Sequence, residues 1–354
     1  MQGTGGGAPQ LWLLTGDKGG DTAQLRVLSR ALGWPTTEKP LQFNGLYRLP
    51  NRLLGATVAT LADVSAAGLE PPWPDVVLSA GRRATPVARS IRARSGGRSK
   101  LIAVGRPWAS LGAFDLVIAT PQYGVPARAN VLSVALPFNR LEPTLVHDAV
   151  AAWAPQLAEL KPPFLTLLIG GRARPLRFDG DVGRGIGREA NNLARALGAS
   201  VLAVSSRRTP ADVLAAMLAE IKVPLLAHPW RSGDTSNAYA AFVGVADRLV
   251  VTGDSASMIA EACHSGKPVT VAPVPFAQAF RERLPRGALS LLSGRTIDTL
   301  HAGGWIVRPR DIATLWQALA RDGHVHVLGE ALVDTVPPDD PLPAAVARIR
   351  ALVG

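Results

Sequence analysis

The sequence predicts an α/β chain built from two αβα halves. Three observations carry that prediction. Short runs rich in leucine and β-branched residues alternate with longer helical stretches, the runs are apolar almost throughout, and turns of small residues follow them. Near-continuous apolar strands alternating with helices imply parallel sheets covered on both faces. At 354 residues, with roughly 100–200 residues per domain, the length favours two domains.

The elements follow in order. The first strand is expected at 10–15 (QLWLLT) and a helix at 21–32 (DTAQLRVLSRAL). Strands at 75–79, 100–104 and 115–119 come next, with a helix over 81–95. Pro155, Pro162 and Pro163 mark a seam near 155–163, so an amino-terminal domain over 1–160 is expected. A second domain over 161–333 restarts the alternation, with strands at 163–169, 200–204, 224–228, 248–252 and 268–272. The tail 334–354 reads as a Pro-rich linker and a closing amphipathic helix.

Hydrophobic residues at 47% and charged residues at 18% exclude global disorder. No apolar run approaches the ~18 residues that span a bilayer. The opening MQGTGGGAPQ lacks a charged n-region followed by an apolar stretch, so no secretory signal is expected and a cytoplasmic location is. Cys263 is the single cysteine, which excludes an internal disulfide and argues against a Cys-based zinc site. The net charge of +11 comes with 32 arginines against six lysines. It reads either as a solvated basic surface or as attraction to nucleotide phosphates or an acidic membrane face. Aromatics at 5%, with no basic block among them and no zinc-finger or RNP signature, give no expectation of nucleic acid.

In open α/β sheets, ligands bind beyond the carboxyl ends of the strands. The first strand ends in Thr15-Gly16-Asp17-Lys18-Gly19-Gly20-Asp21, a glycine turn opening a helix with Asp21 as its cap. The turn fits neither the dinucleotide nor the P-loop pattern. It offers Asp17 or Asp21 as an exposed carboxylate, with Lys18, Gly19 and Gln24 nearby. Arg82 and Arg83 follow the 75–79 strand, and Gly170 and Gly171 follow 163–169. After 200–204 come Ser205, Ser206, Arg207 and Arg208, with Thr209 and Asp212 spaced as a capping box. Arginine at a sheet edge suits bidentate contact with phosphate. In 249–271 a strand ends at Thr252-Gly253, a helix opens with Asp254, Ser255 and Ser257, and Met258 and Glu261 lie on it. Free N–H groups at such a helix start seat an anion, and Glu261 is placed to accept from a ribose diol. The plain alternative is an ordinary βαβ unit with a surface glutamate.

Strand, small-Ser turn, E-x-x-x-x-G-K-P and strand resembles the donor motif of GT-B glycosyltransferases. More specifically, the chain resembles the elongated-mitochondria fission-protein family. The residues that carry this are G-D-x-x-G-x-x-x-Q from Gly16 to Gln24, S-A-G-R-R at 79–83, the I-G-G turn at 169–171 and S-S-R-R-T-P at 205–210. Asn237-x-Tyr239, A-D at 246–247 and V-T-G-D-S-x-S-M-x-x-E-A at 251–262 complete the series. The chain departs where Ala238 replaces the family's usual proline and Gly253 stands where an acidic residue is common.

The resemblance implies two Rossmann-like αβα domains facing a cleft, the carboxy-terminal one holding a nucleotide-sugar donor and the amino-terminal one the acceptor. It places Gly170, Gly171, Ser205, Ser206, Arg207, Arg208, Asn237, Asp254, Ser255, Ser257, Met258 and Glu261 on the donor, with Glu261 at the ribose. Lys18, Gly19, Gln24, Arg82 and Arg83 fall on the acceptor side, and Asp17 or Asp21 is the base; His147, His228 and His264 are rival bases. No metal and no tightly bound cofactor is expected. The acceptor implied is an envelope glycan or lipid, compatible with peripheral contact with an anionic membrane. A non-catalytic adaptor on the same scaffold and a nucleotide-sugar epimerase are the alternatives.

Overall fold

The computed structural model describes residues 7–277, 293–306 and 310–354. The chain divides into two compact units. One comprises Met1–Phe138, Arg286–Arg310 and Asp340–Gly354, the other Asn139–Pro285 and Asp311–Asp339.

In the first unit, β1 (Leu11–Thr15), β2 (Thr36–Pro40), β3 (Val76–Ala80), β4 (Lys100–Val104), β5 (Leu116–Ala119) and β6 (Val131–Ser133) form one parallel sheet, in the order β2-β1-β3-β4-β5-β6. The continuous apolar character of β1 has a direct cause. Leu11 and Leu13 point to the face covered by α1 (Gly19–Leu32) and the final helix Leu342–Arg350, while Trp12 and Leu14 point to the face covered by the helix Gly81–Arg94. α1 starts at Gly19 with Lys18 as its N-cap, so Asp21 lies inside the first turn and is not the cap. Gly33 ends it in the left-handed conformation at φ +68°.

The helix Gly81–Arg94 carries Pro86 in its interior. Proline there leaves the carbonyl four residues back without its helical donor. Asn51, buried, donates to that carbonyl of Arg82 at 2.8 Å. The repair fixes the helix start at the sheet's carboxyl edge.

The second unit holds β7 (Phe164–Ile169), β8 (Ser200–Ser205), β9 (Leu225–His228), β10 (Arg248–Thr252), β11 (Val269–Ala272) and β12 (His326–Val327), all parallel. Counted from β7, the order β9-β8-β7-β10-β11-β12 reads 3-2-1-4-5-6, that of the dinucleotide-binding Rossmann sheet. The helix Pro143–Leu157 packs on the helix Ala238–Val245 and belongs to this unit. The chain therefore passes from the first unit to the second after Phe138, ahead of the proline seam at 155–163. Pro155 lies inside the helix Pro143–Leu157, and Pro162 and Pro163 end the short link into β7. The helix Leu342–Arg350 returns to the first unit, where Ala345 and Ile349 are fully buried beside Leu25 and Leu28.

Candidate functional site

In the first unit, β1 has β2 on one side and β3 on the other, and the loops leaving β1 and β3 diverge at that point. A cavity of about 620 Å³ opens there. Its wall brings together Asp17, Lys18, Asp21, Arg82 and Arg83, five residues singled out from the sequence. Gly19 and Gln24 do not line it. Gln24 instead joins Gly20 and Phe138, accepting from the Phe138 amide and donating to the Gly20 carbonyl, each at 3.4 Å.

Gly81 makes the turn out of β3 at φ +75°, and an added Cβ would lie 3.4 Å from Asp21 Oδ2. Glycine meets both demands. Arg82 donates through Nη2 to the carbonyls of Arg48 at 2.8 Å and Leu49 at 2.7 Å, which ties the 47–49 segment to the rim. Arg83 pairs with Asp17 at 2.8 Å and stacks on Tyr47 at 4.2 Å. Asp17 is thus an exposed, paired carboxylate. Asp21 is half-buried, and burial raises its carboxyl above the ordinary value; Lys18 and Arg310 oppose that shift and Asp17 adds to it.

The rest of the wall comes from the next two strands of the same edge. Arg106 follows β4 and Tyr123 follows β5; Trp108 and Arg310 complete the rim. Gly105, at φ +81°, lets the Tyr123 ring approach to 3.1 Å of where a Cβ would stand. Burial lowers the Arg106 guanidinium to about 10, a value at which it stays protonated at neutral pH. The Trp108 indole lies 4.9 Å from Arg106 and 5.4 Å from Arg82. Arg106 carries the sequence signal of its neighbours, a cation just past a small-residue turn at a strand end. Trp108 and Tyr123 carry none.

In the second unit, the corresponding point lies between β7 and β10, and side chains of the protein fill it. The Gly170 amide donates to Thr252 Oγ1 at 2.7 Å and the Gly171 amide to Asp254 Oδ2 at 2.8 Å. Thr252 Oγ1 donates to the other Asp254 oxygen at 2.7 Å. Asp254 is buried, and burial raises its carboxyl against these bonds and the nearby Arg208. A Cβ on Gly170 would fall 2.3 Å from that carboxylate, and one on Gly171 2.1 Å from the Arg208 carbonyl carbon. The glycines admit neighbouring protein groups. Gly253 is less tightly confined: a Cβ would meet Ala272 O and Trp316 Nε1 at 3.1 Å, so a side chain there requires those neighbours to give by a few tenths of an ångström.

Thr209 does not cap the helix Ala211–Leu218, which has Pro210 at its N-cap. Its hydroxyl accepts from the Ser206 amide at 2.8 Å and donates to the ends of β7, locking the 205–209 turn against the Gly170-Gly171 turn. Ser205 Oγ accepts from the Trp230 amide at 2.8 Å. Arg207 and Arg208 are exposed. Ser255 is the N-cap of the helix Ala256–His264, with Ser257 and Met258 half-buried in its first turn. Glu261 accepts from the Tyr239 hydroxyl at 2.6 Å, and burial raises its carboxyl while that bond opposes the shift. Asn237, at φ +52°, opens the helix that carries Tyr239.

Of the histidines, His147 is exposed beside Asp148, His228 pairs with Asp234 at 2.5 Å, and the His264 ring meets the Asn139 carbonyl at 2.9 Å. Cys263 is buried, its thiol pushed up to about 12. Among the described residues, no group of three or more His, Cys, Asp or Glu side chains could hold a metal ion. Among the same residues, no helix is long and apolar enough to cross a membrane.

Two parallel Rossmann-like αβα units, one with a polar cavity at its switch point, define the class of protein. The family profile described as mitochondrial fission ELM1 matches residues 19–300, and the chain belongs to that family. It is 26% identical over 242 residues to the mitochondrial fission protein ELM1 of Arabidopsis thaliana, covering 62% of this chain and 56% of that protein, so it spans little more than half of that relative. It is 22% identical over 305 residues to the Rickettsia prowazekii (strain Madrid E) protein RP120, covering 77% and 86%. Similar solved structures include S. aureus MnaA with UDP, at TM-score 0.48 and 12% identity over 98% of this chain and 97% of that one. A UDP-GlcNAc 2-epimerase from Methanocaldococcus jannaschii has TM-score 0.48 and 13% identity over 97% and 99%. A family 9 glycosyl transferase from Veillonella parvula has TM-score 0.45 and 9% identity over 91% and 100%.

Proposed function

We propose that the chain is a metal-independent glycosyltransferase that uses a nucleotide-activated sugar, with Asp21 as the base. The observation that carries this reading is the cavity of the first unit. There a half-buried carboxylate with a raised pKa stands among arginines at the carboxyl end of a parallel sheet. A base whose pKa is moved up toward the working pH takes a hydroxyl proton more readily than an ordinary carboxylate. The acceptor oxygen bonds to the anomeric carbon, the bond to the nucleoside diphosphate breaks with its electron pair leaving on phosphate oxygen, and the proton passes to Asp21. In the second unit, Glu261 beside Tyr239 is the group for the ribose, and exposed Arg207 and Arg208 are the cations for the departing diphosphate. The acceptor is an envelope glycan or lipid reached from an anionic membrane face.

A panel of UDP, GDP, ADP, CMP and their sugar conjugates in a thermal-shift assay tests the donor half. Ligand bound to the native state alone raises the melting temperature by mass action. One nucleotide is expected to stand out, and Glu261→Ala to abolish its shift. Asp21→Asn is expected to keep the shift and lose turnover by about 10²-fold or more.

A second reading, a non-catalytic binding protein, is favoured by one observation. The Gly170 and Gly171 amides already donate to Thr252 and Asp254, so that turn offers no N–H to a leaving group. No shift with any nucleotide selects this reading.

A further inference from the structure

We propose that the cavity of the first unit binds a phosphate-bearing saccharide; this rests on the glycosyl-transfer reading for its consequence, that the saccharide is the acceptor. Two independent features of the wall point to it.

The first is charge. Among the described residues of the wall, the cations Lys18, Arg82, Arg83, Arg106 and Arg310 outnumber the acids Asp17 and Asp21. A neutral glycan leaves that excess untouched, whereas a phosphomonoester brings about −1.5 to −2 charge. Arg106 stands in the same wall and is 5% exposed. The planar fork of a guanidinium matches phosphate oxygens.

The second is Trp108. It sits at φ +52°, one of two non-glycine residues in the left-handed region among those described. For a bulky side chain that conformation costs on the order of 1–3 kcal/mol, and such strain clusters at ligand sites. It leaves the indole 38% exposed on the cavity rim, beside the guanidinium groups of Arg82 and Arg106. A flat apolar surface next to cations fits a ligand with both a C–H face and an anionic group. A pyranose carrying phosphate has both; free phosphate lacks the first and an unmodified sugar the second. Asp21 lies in the same wall, within the space where a hydroxyl of that saccharide would sit.

The test is calorimetric titration of the full chain with glucose 1-phosphate, glucose 6-phosphate, glucose, inorganic phosphate, and phosphatidylcholine vesicles containing phosphatidic acid. At least one glucose phosphate is expected to bind about tenfold or more tighter than inorganic phosphate, with glucose weaker still. Trp108→Gly suits the left-handed backbone and should keep the fold. It is expected to erase the advantage of the sugar phosphate while leaving inorganic phosphate binding in place. Arg106→Gln is expected to weaken both. Glucose binding as tightly as its phosphates overturns the proposal, as does unchanged sugar-phosphate affinity in Trp108→Gly. Binding to the vesicles without binding to either glucose phosphate also overturns it, since the cations then serve a lipid headgroup. The nucleotide panel reads the transferase proposal separately. Sugar-phosphate binding without any nucleotide shift retains the cavity assignment and removes the transferase. A nucleotide shift without sugar-phosphate binding does the reverse.

Discussion

Asp17 and Asp21 stand four residues apart on one turn, yet their surroundings give them different chemistry. The Asp17 side chain is 65% exposed and held by Arg83, whereas Asp21 is drawn into the cavity and its carboxyl is raised above 3.8. A raised carboxyl means that the native state keeps its proton to higher pH than the unfolded chain does. Stability therefore falls as pH rises from 3.8 through the raised value, and the cost persists above it. Asp21→Asn removes that cost. Its melting temperature is expected to exceed wild type at neutral pH, with the gap closing below the ordinary carboxylate value, where both states are protonated. Melts of both proteins across the acid range check this. At this scale the sequence discloses chemistry better than environment. It offers both aspartates and the Arg82-Arg83 pair, because type and position past a strand are visible. It cannot rank the aspartates, since ranking depends on burial by residues far away in the chain. Trp108 is hidden for a related reason: a positive φ leaves a trace in sequence mainly when glycine or asparagine occupies it.

Among elements, every strand anticipated from an apolar run is present, and the three not anticipated are all at sheet edges. β2 (TTEKP) is almost wholly exposed, β6 has three residues and β12 two. An edge strand pairs on one side only and need not be apolar on both faces, so the pattern that identifies interior strands is missing. The Gly170-Gly171 turn is legible as a turn but not in its purpose. Its glycines admit the Asp254 carboxylate and the backbone at Arg208, which come from β10 and β8. Gly171→Ala drives a methyl group into a peptide carbonyl. It is expected to destabilise the second unit by about 1–3 kcal/mol or more, in the range of forced overpacking. Chemical denaturation reads this directly, and Gly185→Ala, where a Cβ would meet nothing within 4 Å, serves as the control.

For the whole molecule, the two-unit organisation is legible from length and alternation, but its threading is not. Prolines at 155–163 suggest a seam, while the first crossing follows Phe138, because packing of the helix Pro143–Leu157 on Ala238–Val245 decides membership. The closing helix, by contrast, is visible as an amphipathic stretch, and Ile349 is its fully buried anchor. Ile349→Ala is expected to cost about 2–5 kcal/mol, measured by equilibrium denaturation as a loss from the first unit.

The route of the chain also sets an order of events during synthesis. Domains ordinarily fold as they emerge, the amino-terminal one first. Here the unit that holds the first strand waits for residues 340–354, which are made after every segment of the second unit. Until they arrive, the apolar face of α1 around Leu25 and Leu28 has no cover from that helix. The newborn chain thus carries an adhesive flank until the second unit has been made. A ribosome stalled with residues 340–354 still inside its exit tunnel is expected to hold a nascent chain that hydrophobic-surface chaperones bind, and emergence of those residues to end that binding.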